Sequence, residues 1–169
     1  GLGANVEGMV SHNLAVAIEE AGGGEPSRTE ALYRRAAAQG VSASLFNLAV
    51  LISQRAEAGN ATALNEALGL YETLLRHEPA NARAWSNVAA LLRRRGSLSA
   101  AGLAKARALA AAPDDAELWV AMADAFRIGL HVNPWEEAAA RRGGDAAAAE
   151  PPPDPRRAAL CLRRALQLA

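Results

Sequence analysis

Apolar residues recur along most of this chain at steps of three and four, which is the spacing of one face of an α-helix. The first such stripe ends before three glycines at positions 22–24. Its members are Val6, Met9, Val10, Leu14, Ala15 and Ile18. Later stripes are separated by Gly, Pro and Asn, which are residues that end or begin helices. The pattern predicts an all-α fold of eight helices arranged in four pairs.

The bounds of these helices follow from the same punctuating residues. The second helix begins at Pro26, the third spans about 42–56, and the fourth ends before Pro79. The last two span about 116–130 and 156–169. Between them lies a stretch rich in Pro, Ala and Gly, which predicts an extended or irregular insertion over 130–155. Trp135 is the one tryptophan in this insertion and could fold back or contact a partner.

Near the middle of the chain, the same pattern occurs twice at a fixed distance. Trp119 follows Trp85 by 34 residues, and Pro113 follows Pro79 by the same interval. Upstream, the letters Asn-Leu-Ala-Val occupy positions 13–16 and again 47–50, also 34 residues apart. A fixed period of this size predicts stacked helix–turn–helix units.

The repeated segment resembles a tetratricopeptide repeat (TPR). The motif Trp-x2-Val-Ala-x2-Leu lies at 85–92, and Trp-x2-Met-Ala-x2-Phe lies at 119–126. Gly96 follows where the chain should turn, Ala101 and Ala108 are the small residues of the second helix, and Pro113 closes the unit. Residues 33–52 also resemble a Sel1-like repeat, a close relative of the TPR. That likeness rests on Ala36, Ala37, Gln39 and Gly40.

The resemblance implies a right-handed α-α superhelix, a TPR-like solenoid of about four helical hairpins. We expect one repeat domain over 1–169, with repeats at about 5–40, 41–79, 80–113 and 114–169. The composition agrees with a helical core, because 51% of the 169 residues are hydrophobic and alanine, a strong helix former, dominates them.

Charge, cysteine content and apolar runs limit the partners, cross-links and membrane attachment that this chain can have. The formal net charge is +0, which gives no general attraction to nucleic acid or to an acidic membrane surface. Cys161 is the single cysteine, so no internal disulfide forms. No apolar run approaches the roughly 18 residues of a membrane span. Because the chain starts at Gly1, we expect a trimmed or processed N-terminus, so that any targeting segment would be missing. We expect an intracellular location, and the sequence leaves open whether it is cytoplasmic or organellar.

The motifs of enzymes and of metal sites are missing from the sequence. The three histidines are far apart and form no His-x3-His or His-Glu-x2-His pair, and no serine lies in Gly-x-Ser-x-Gly. Gly1-Leu2-Gly3 lacks the third glycine of a dinucleotide motif. We therefore expect no catalytic residue, no cofactor and no metal.

The candidate binding surface is a row of asparagines on the first helices of successive pairs. Asn13, Asn47 and Asn87 lie two residues after the position of the repeat tryptophan, and the fourth pair has Ala121 there. The resemblance implies that these helices line a concave face, where an asparagine can bind a peptide backbone as donor and acceptor. The neighbouring candidates on this face are Phe46, Arg83 and Arg94. Alternatively, the asparagines only satisfy local polar groups.

These features favour a non-catalytic protein-interaction scaffold or adaptor that is a subunit of a larger assembly and binds a peptide or protein partner. A second hypothesis is the repeat arm of a longer enzyme of the transferase or phosphatase type. A third is a helical-repeat RNA-binding protein, which scarce aromatics and zero net charge disfavour. The apolar residues Leu160, Leu162, Leu166 and Leu168 of the last helix suggest a longer parent chain or a partner on that face.

Overall fold

A computed structural model describes residues 2–22, 25–57, 60–128 and 155–169. In these ranges the chain forms eight α-helices and no strand, so the all-α prediction is confirmed. The helices are α1 (Leu2–Glu20), α2 (Pro26–Ala38), α3 (Ser42–Glu57), α4 (Ala61–His77), α5 (Ala82–Arg94), α6 (Leu98–Ala111), α7 (Ala116–Arg127) and α8 (Pro155–Leu168). The predicted insertion, with Trp135, lies outside the described residues except for Pro155, where α8 begins.

The helices divide between two compact units, Gly1–Pro79 and Ala80–Ala169. In the first unit α1 packs on α2, α2 on α3, and α3 on α4. In the second unit α5 packs on α6, α6 on α7, and α7 on α8. Each unit is therefore two helical hairpins, joined where the second helix of one hairpin meets the first helix of the next. We call α1, α3, α5 and α7 the A helices and the other four the B helices.

Glycine ends two of the helices in the way that the sequence predicts. Gly40 and Gly96 have φ values of 84° and 81°, a conformation that glycine adopts without a steric penalty. The amide of Gly96 donates to the carbonyl of Arg93, and the amide of Ser97 donates to that of Leu92. This is the Schellman arrangement, which satisfies carbonyls at the end of α5 and turns the chain into α6.

Polar side chains begin several helices. The side-chain oxygen of Asn60 accepts from the amide of Ala63 at 3.0 Å, and Asn81 accepts from Ala84 at the same distance. One carboxylate oxygen of Asp115 accepts from Glu117 and Leu118 at 2.9 and 3.3 Å. Each cap satisfies amides that have no partner inside the helix. Asn60, which begins a glycosylation sequon in the sequence, therefore has a structural role as a helix cap.

Small residues make up much of the buried core. In the first unit Ala36, Ala49 and Ala67 are fully buried, as are the larger side chains of Tyr33, Tyr71 and Ile52. In the second unit the corresponding core contains Ala101, Met122, Ala123, Ala125, Ala158 and Cys161. Close approach of helices over small residues maximises the packing contacts of the larger ones.

The two repeat tryptophans occupy equivalent places. The amide of Trp85 donates to the carbonyl of Asn81 at 3.1 Å, and the amide of Trp119 donates to that of Asp115 at 3.4 Å. Each tryptophan therefore follows the cap of its A helix by four residues, and both side chains are half-buried. The 34-residue period is a period of structure as well as of sequence.

Candidate functional site

Three of the predicted surface residues share one face of α5. Asn87 follows Arg83 by four residues, and Arg94 follows Asn87 by seven, so the three side chains line up along the helix. Arg83 and Arg94 are exposed and Asn87 is half-buried. We call these three residues the α5 strip. The amide can hydrogen-bond to a peptide group, and the guanidinium groups can bind carboxylates.

In the first unit, Asn13 lies on α1 and Asn47 lies at the equivalent position of α3. Their surroundings differ, because Asn13 is exposed and Asn47 is half-buried. Phe46, also predicted for the surface, is half-buried, and its ring meets that of Tyr71 edge-on, with centroids 6.0 Å apart at 72°. This contact attaches α3 to α4, so Phe46 supports the packing of its hairpin.

The side chain of Asn47 belongs to a hydrogen-bonded chain that crosses three helices. Its Nδ2 donates to the hydroxyl of Tyr33 at 3.2 Å, and that hydroxyl donates to a carboxylate oxygen of Glu19 at 2.6 Å. Burial raises the pKa of Tyr33 above its ordinary value, and the hydrogen bond to Glu19 raises it further. One donor of Asn47 is therefore used inside the protein, while its Oδ1 and remaining N–H are not part of this chain of bonds.

A second polar contact joins α1 to α3. Nδ1 of His12 lies 2.8 Å from Oγ of Ser44, and the His12 ring lies 5.9 Å from that of Tyr33. A histidine beside a serine is the pairing of a nucleophile with its base. Here Ser44 is fully buried, so no substrate reaches its hydroxyl. The pair is a structural contact between neighbouring A helices.

Sequence reasoning did not select Lys105, which the structure places at a helix contact in the second unit. Its Nζ donates to the backbone carbonyl of Ala121 at 3.0 Å, across the interface between α6 and α7. Burial lowers the pKa of Lys105, the nearby charge of Arg93 lowers it further, and Asp124 acts in the opposite direction. The only signals in the sequence were that this is the one lysine and that Ala121 replaces the asparagine of the row.

Within their bounds the A helices of the second unit carry four arginines, Arg83, Arg93, Arg94 and Arg127, and two acidic residues, Glu117 and Asp124. Arg83 and Arg94 are exposed on α5, and Arg93 lies close enough to Lys105 to affect its ionisation. On α7, Arg127 pairs with Asp124 at 3.1 Å on the protein surface.

The part of the chain that the structure describes holds neither a metal-binding cluster nor a membrane-spanning helix. Among those residues no group of three or more His, Cys, Asp or Glu side chains is placed to hold a metal ion. No helix there is long and apolar enough to cross a membrane. Cys161 is buried in the core of the second unit, and burial raises the pKa of its thiol.

Comparison with solved structures identifies the fold. The chain is similar to the MamA RS-1 ArsTM double mutant, with a TM-score of 0.65 and 12% sequence identity over 96% of this chain and 75% of that one. It is also similar to MamA 41-end from Desulfovibrio magneticus RS-1, with a TM-score of 0.63 and 12% identity over 95% and 75% of the two chains. Both are TPR-like proteins, so the prediction of a TPR-like helical-repeat fold is confirmed. No protein-family model matches the sequence, and no curated protein matches it.

Proposed function

We propose that this protein is a non-catalytic interaction scaffold or adaptor, a subunit of a larger assembly, that binds an extended segment of a protein partner on its A helices. The observation that carries the proposal is the α5 strip, where Asn87 lies between two exposed arginines on one helical face. An amide can bind the partner's backbone, while two cations on a rigid helix bind side chains at fixed spacing. In the first unit, considered by itself, the corresponding candidates are Asn13, Asn47 and Phe46.

The charge of the strip indicates the kind of segment that it binds. Arg83 and Arg94 are eleven residues apart, which corresponds to about 16 Å along a helix. An extended peptide covers that distance in about five residues. We therefore propose a partner segment with acidic residues near both ends of a stretch of this length, held between them by backbone contacts to Asn87.

Two finer assignments belong to the same proposal. The short connection between α2 and α3, closed by Gly40, supports placing the first unit in the Sel1-like subtype. An intracellular location is consistent with a single, buried cysteine thiol.

The proposal can be tested by selecting binders from a peptide library displayed on phage. The selected peptides should be enriched in Asp and Glu, and isothermal titration should measure their affinity for the purified protein. Asn87→Ala, or Arg83→Ala with Arg94→Ala, should weaken binding by about tenfold or more, since each removes at least one hydrogen bond to the peptide.

The matched control is Arg76→Ala, which removes an exposed arginine from α4, where it pairs with Glu72 on the same helix. This change should leave the affinity unaltered. A library that yields no binder, or binders whose affinity is the same for the α5 variants and the wild type, would refute the proposal.

A further inference from the structure

Two helix faces of this protein are exposed although their residues are apolar. On α1 the row consists of Val6, Val10 and Leu14, which follow one another by four residues. In the last hairpin the face consists of Val120 on α7 and Leu162 and Leu166 on α8, of which Leu166 is 80% exposed. We call these sets the α1 face and the α7–α8 face.

Two residues of the α1 face correspond to residues that are buried in the next A helix, α3. Ser44 and Leu48 on α3 occupy the positions that Val10 and Leu14 occupy on α1, each 34 residues earlier. Ser44 and Leu48 are 0% and 2% exposed, whereas Val10 and Leu14 are 61% and 43% exposed. The difference arises because α3 packs on the preceding hairpin, while α1 is the first described helix.

The α7–α8 face is equivalent to the surface on which α3 packs. Val120 lies directly before Ala121, and His12 lies directly before Asn13, so the two residues occupy equivalent positions of their A helices. His12 is the residue that contacts Ser44 on α3. Tyr33 and Leu162 each lie seven residues after the first residue of their B helix, and Tyr33 is the residue that contacts Asn47 on α3. The contact between α6 and α7 repeats the geometry of the contact between α2 and α3. Lys105 lies seven residues after the first residue of α6, and it contacts Ala121 on α7.

The two faces also carry opposite charge on their helices. Within its bounds α1 has three glutamates and no lysine or arginine. Within its bounds α8 has four arginines and no aspartate or glutamate. On α7 the charges are mixed, with Glu117, Asp124 and Arg127. Helices of opposite charge attract each other and helices of like charge repel, so α1 and α8 favour contact between unlike faces over the pairing of either face with its own kind.

We propose that the α7–α8 face of one copy of this chain docks on the α1 face of a second copy. The contact would repeat the junction between α2 and α3, with Val120 against Val10 and Leu162 beside Asn13. The two faces differ, so the interface is heterologous, and each copy keeps one face open for the next. This inference goes beyond the proposed function, because it uses neither the α5 strip nor a foreign partner.

The test is the association state of the purified protein, measured by sedimentation velocity over a wide concentration range. The wild-type chain should form dimers and longer species as concentration rises. Val10→Asp should block the α1 face and Leu166→Asp the α7–α8 face, each lowering the association constant by at least about tenfold, because an unpaired charge would be buried. Both residues are exposed in the single chain, so each variant should fold, which circular dichroism would check.

Mixing the two variants gives the decisive result. Each should be monomeric alone, but the Val10→Asp chain retains an intact α7–α8 face and the Leu166→Asp chain an intact α1 face. Their equimolar mixture should therefore form a one-to-one dimer and nothing larger.

The chain offers a control for each face. Met9 and Leu160 are also exposed apolar residues on α1 and α8, but they lie outside the two faces. The residues at the position of Met9 in the other A helices, Ala43, Arg83 and Glu117, are exposed as well, so this position takes no part in a junction. Met9→Asp and Leu160→Asp should associate as the wild type does.

Three outcomes would overturn the proposal. A wild-type chain that stays monomeric at every concentration would assign both faces to another occupant, such as a further hairpin. Dimers of Val10→Asp alone would indicate that two α7–α8 faces pair with each other. Dimers of Leu166→Asp alone would indicate the same of two α1 faces.

Discussion

The hydroxyl of Tyr33 on α2 donates a 2.6 Å hydrogen bond to the carboxylate of Glu19 on α1, although Tyr33 is fully buried. The same hydroxyl accepts a bond from Asn47 on α3. One side chain thus joins the first hairpin to the next. A hydrogen bond to a charged acceptor is stronger than one between neutral groups, and short donor–acceptor distances are typical of it.

Replacing Tyr33 tests how much its two hydrogen bonds contribute to the stability of the protein. Tyr33→Phe keeps the ring but removes the hydroxyl, and it should lower the free energy of unfolding by about 1 to 2 kcal/mol, because Asn47 and Glu19 both lose a partner. Urea denaturation would measure the change. In the same experiment Glu19→Gln should destabilise the wild type but not the Tyr33→Phe variant. Equal effects of Glu19→Gln in both backgrounds would mean that the two groups are not coupled.

The same residue predicts how stability changes in alkali. The pKa of Tyr33 is raised in the folded protein, so folding holds its proton to higher pH than the unfolded chain does. The resulting stability is fully present below the ordinary tyrosine pKa of about 10 and is lost as the pH rises above it. The slope from this one group is at most about 1.4 kcal/mol per pH unit.

Urea denaturation of the wild type and of Tyr33→Phe at about pH 9 and pH 11 would isolate this contribution. The stability of the wild type should fall further between the two conditions than that of the variant. An identical fall in both proteins would assign the alkaline loss to other groups.

Gly40 and Gly96 at helix ends and Gly69 inside α4 should respond in opposite ways to substitution by alanine. Gly40→Ala and Gly96→Ala place a Cβ on a backbone with positive φ, which should cost about 1 to 2 kcal/mol each. Gly69 is the matched control, since it lies inside α4 and a Cβ there would meet nothing within 4 Å. Gly69→Ala should stabilise the protein by about 0.5 to 1 kcal/mol. Thermal unfolding would rank the three, and a destabilising Gly69→Ala would contradict the description of α4.

The positive charge of Lys105, which lies between α6 and α7, should contribute little to the stability of the folded protein. Because burial and Arg93 lower the pKa of Lys105, folding opposes its protonation. Lys105→Met keeps a flexible apolar stem and removes the charge, so the free energy of unfolding should be unchanged or higher at neutral pH. Lys105→Ala also removes the stem and should lower it.

The pH dependence of the same variant provides an independent check. A lysine whose pKa is lowered by folding destabilises the folded state most when the pH is below the lowered value, and this penalty disappears as the pH rises from there to the ordinary lysine pKa. The wild type should therefore gain stability over that range relative to Lys105→Met. A parallel pH dependence of the two proteins would show that Lys105 ionises as it does in the unfolded chain.

Most of the architecture could be predicted because it depends on local sequence. The caps at Asn60 and Asp115 and the turns at Gly40 and Gly96 involve residues that are neighbours in the chain. The equivalence of Trp85 and Trp119 follows from the period, since equal spacing along identical hairpins gives equal places. The proposed binding role of the asparagines stays a prediction.

The sequence by itself determined the helices, their ends, and the register that sets Asn13, Asn47 and Asn87 at one position of the A helices. Only the tertiary structure decided that Asn47 contacts Tyr33 while Asn13 is exposed, and that Lys105 meets the carbonyl of Ala121. The physical reason is that a helix face is set by spacing along one chain segment. What lies opposite that face depends on helices distant in sequence, so residues of equal register acquire different neighbours, burial and pKa.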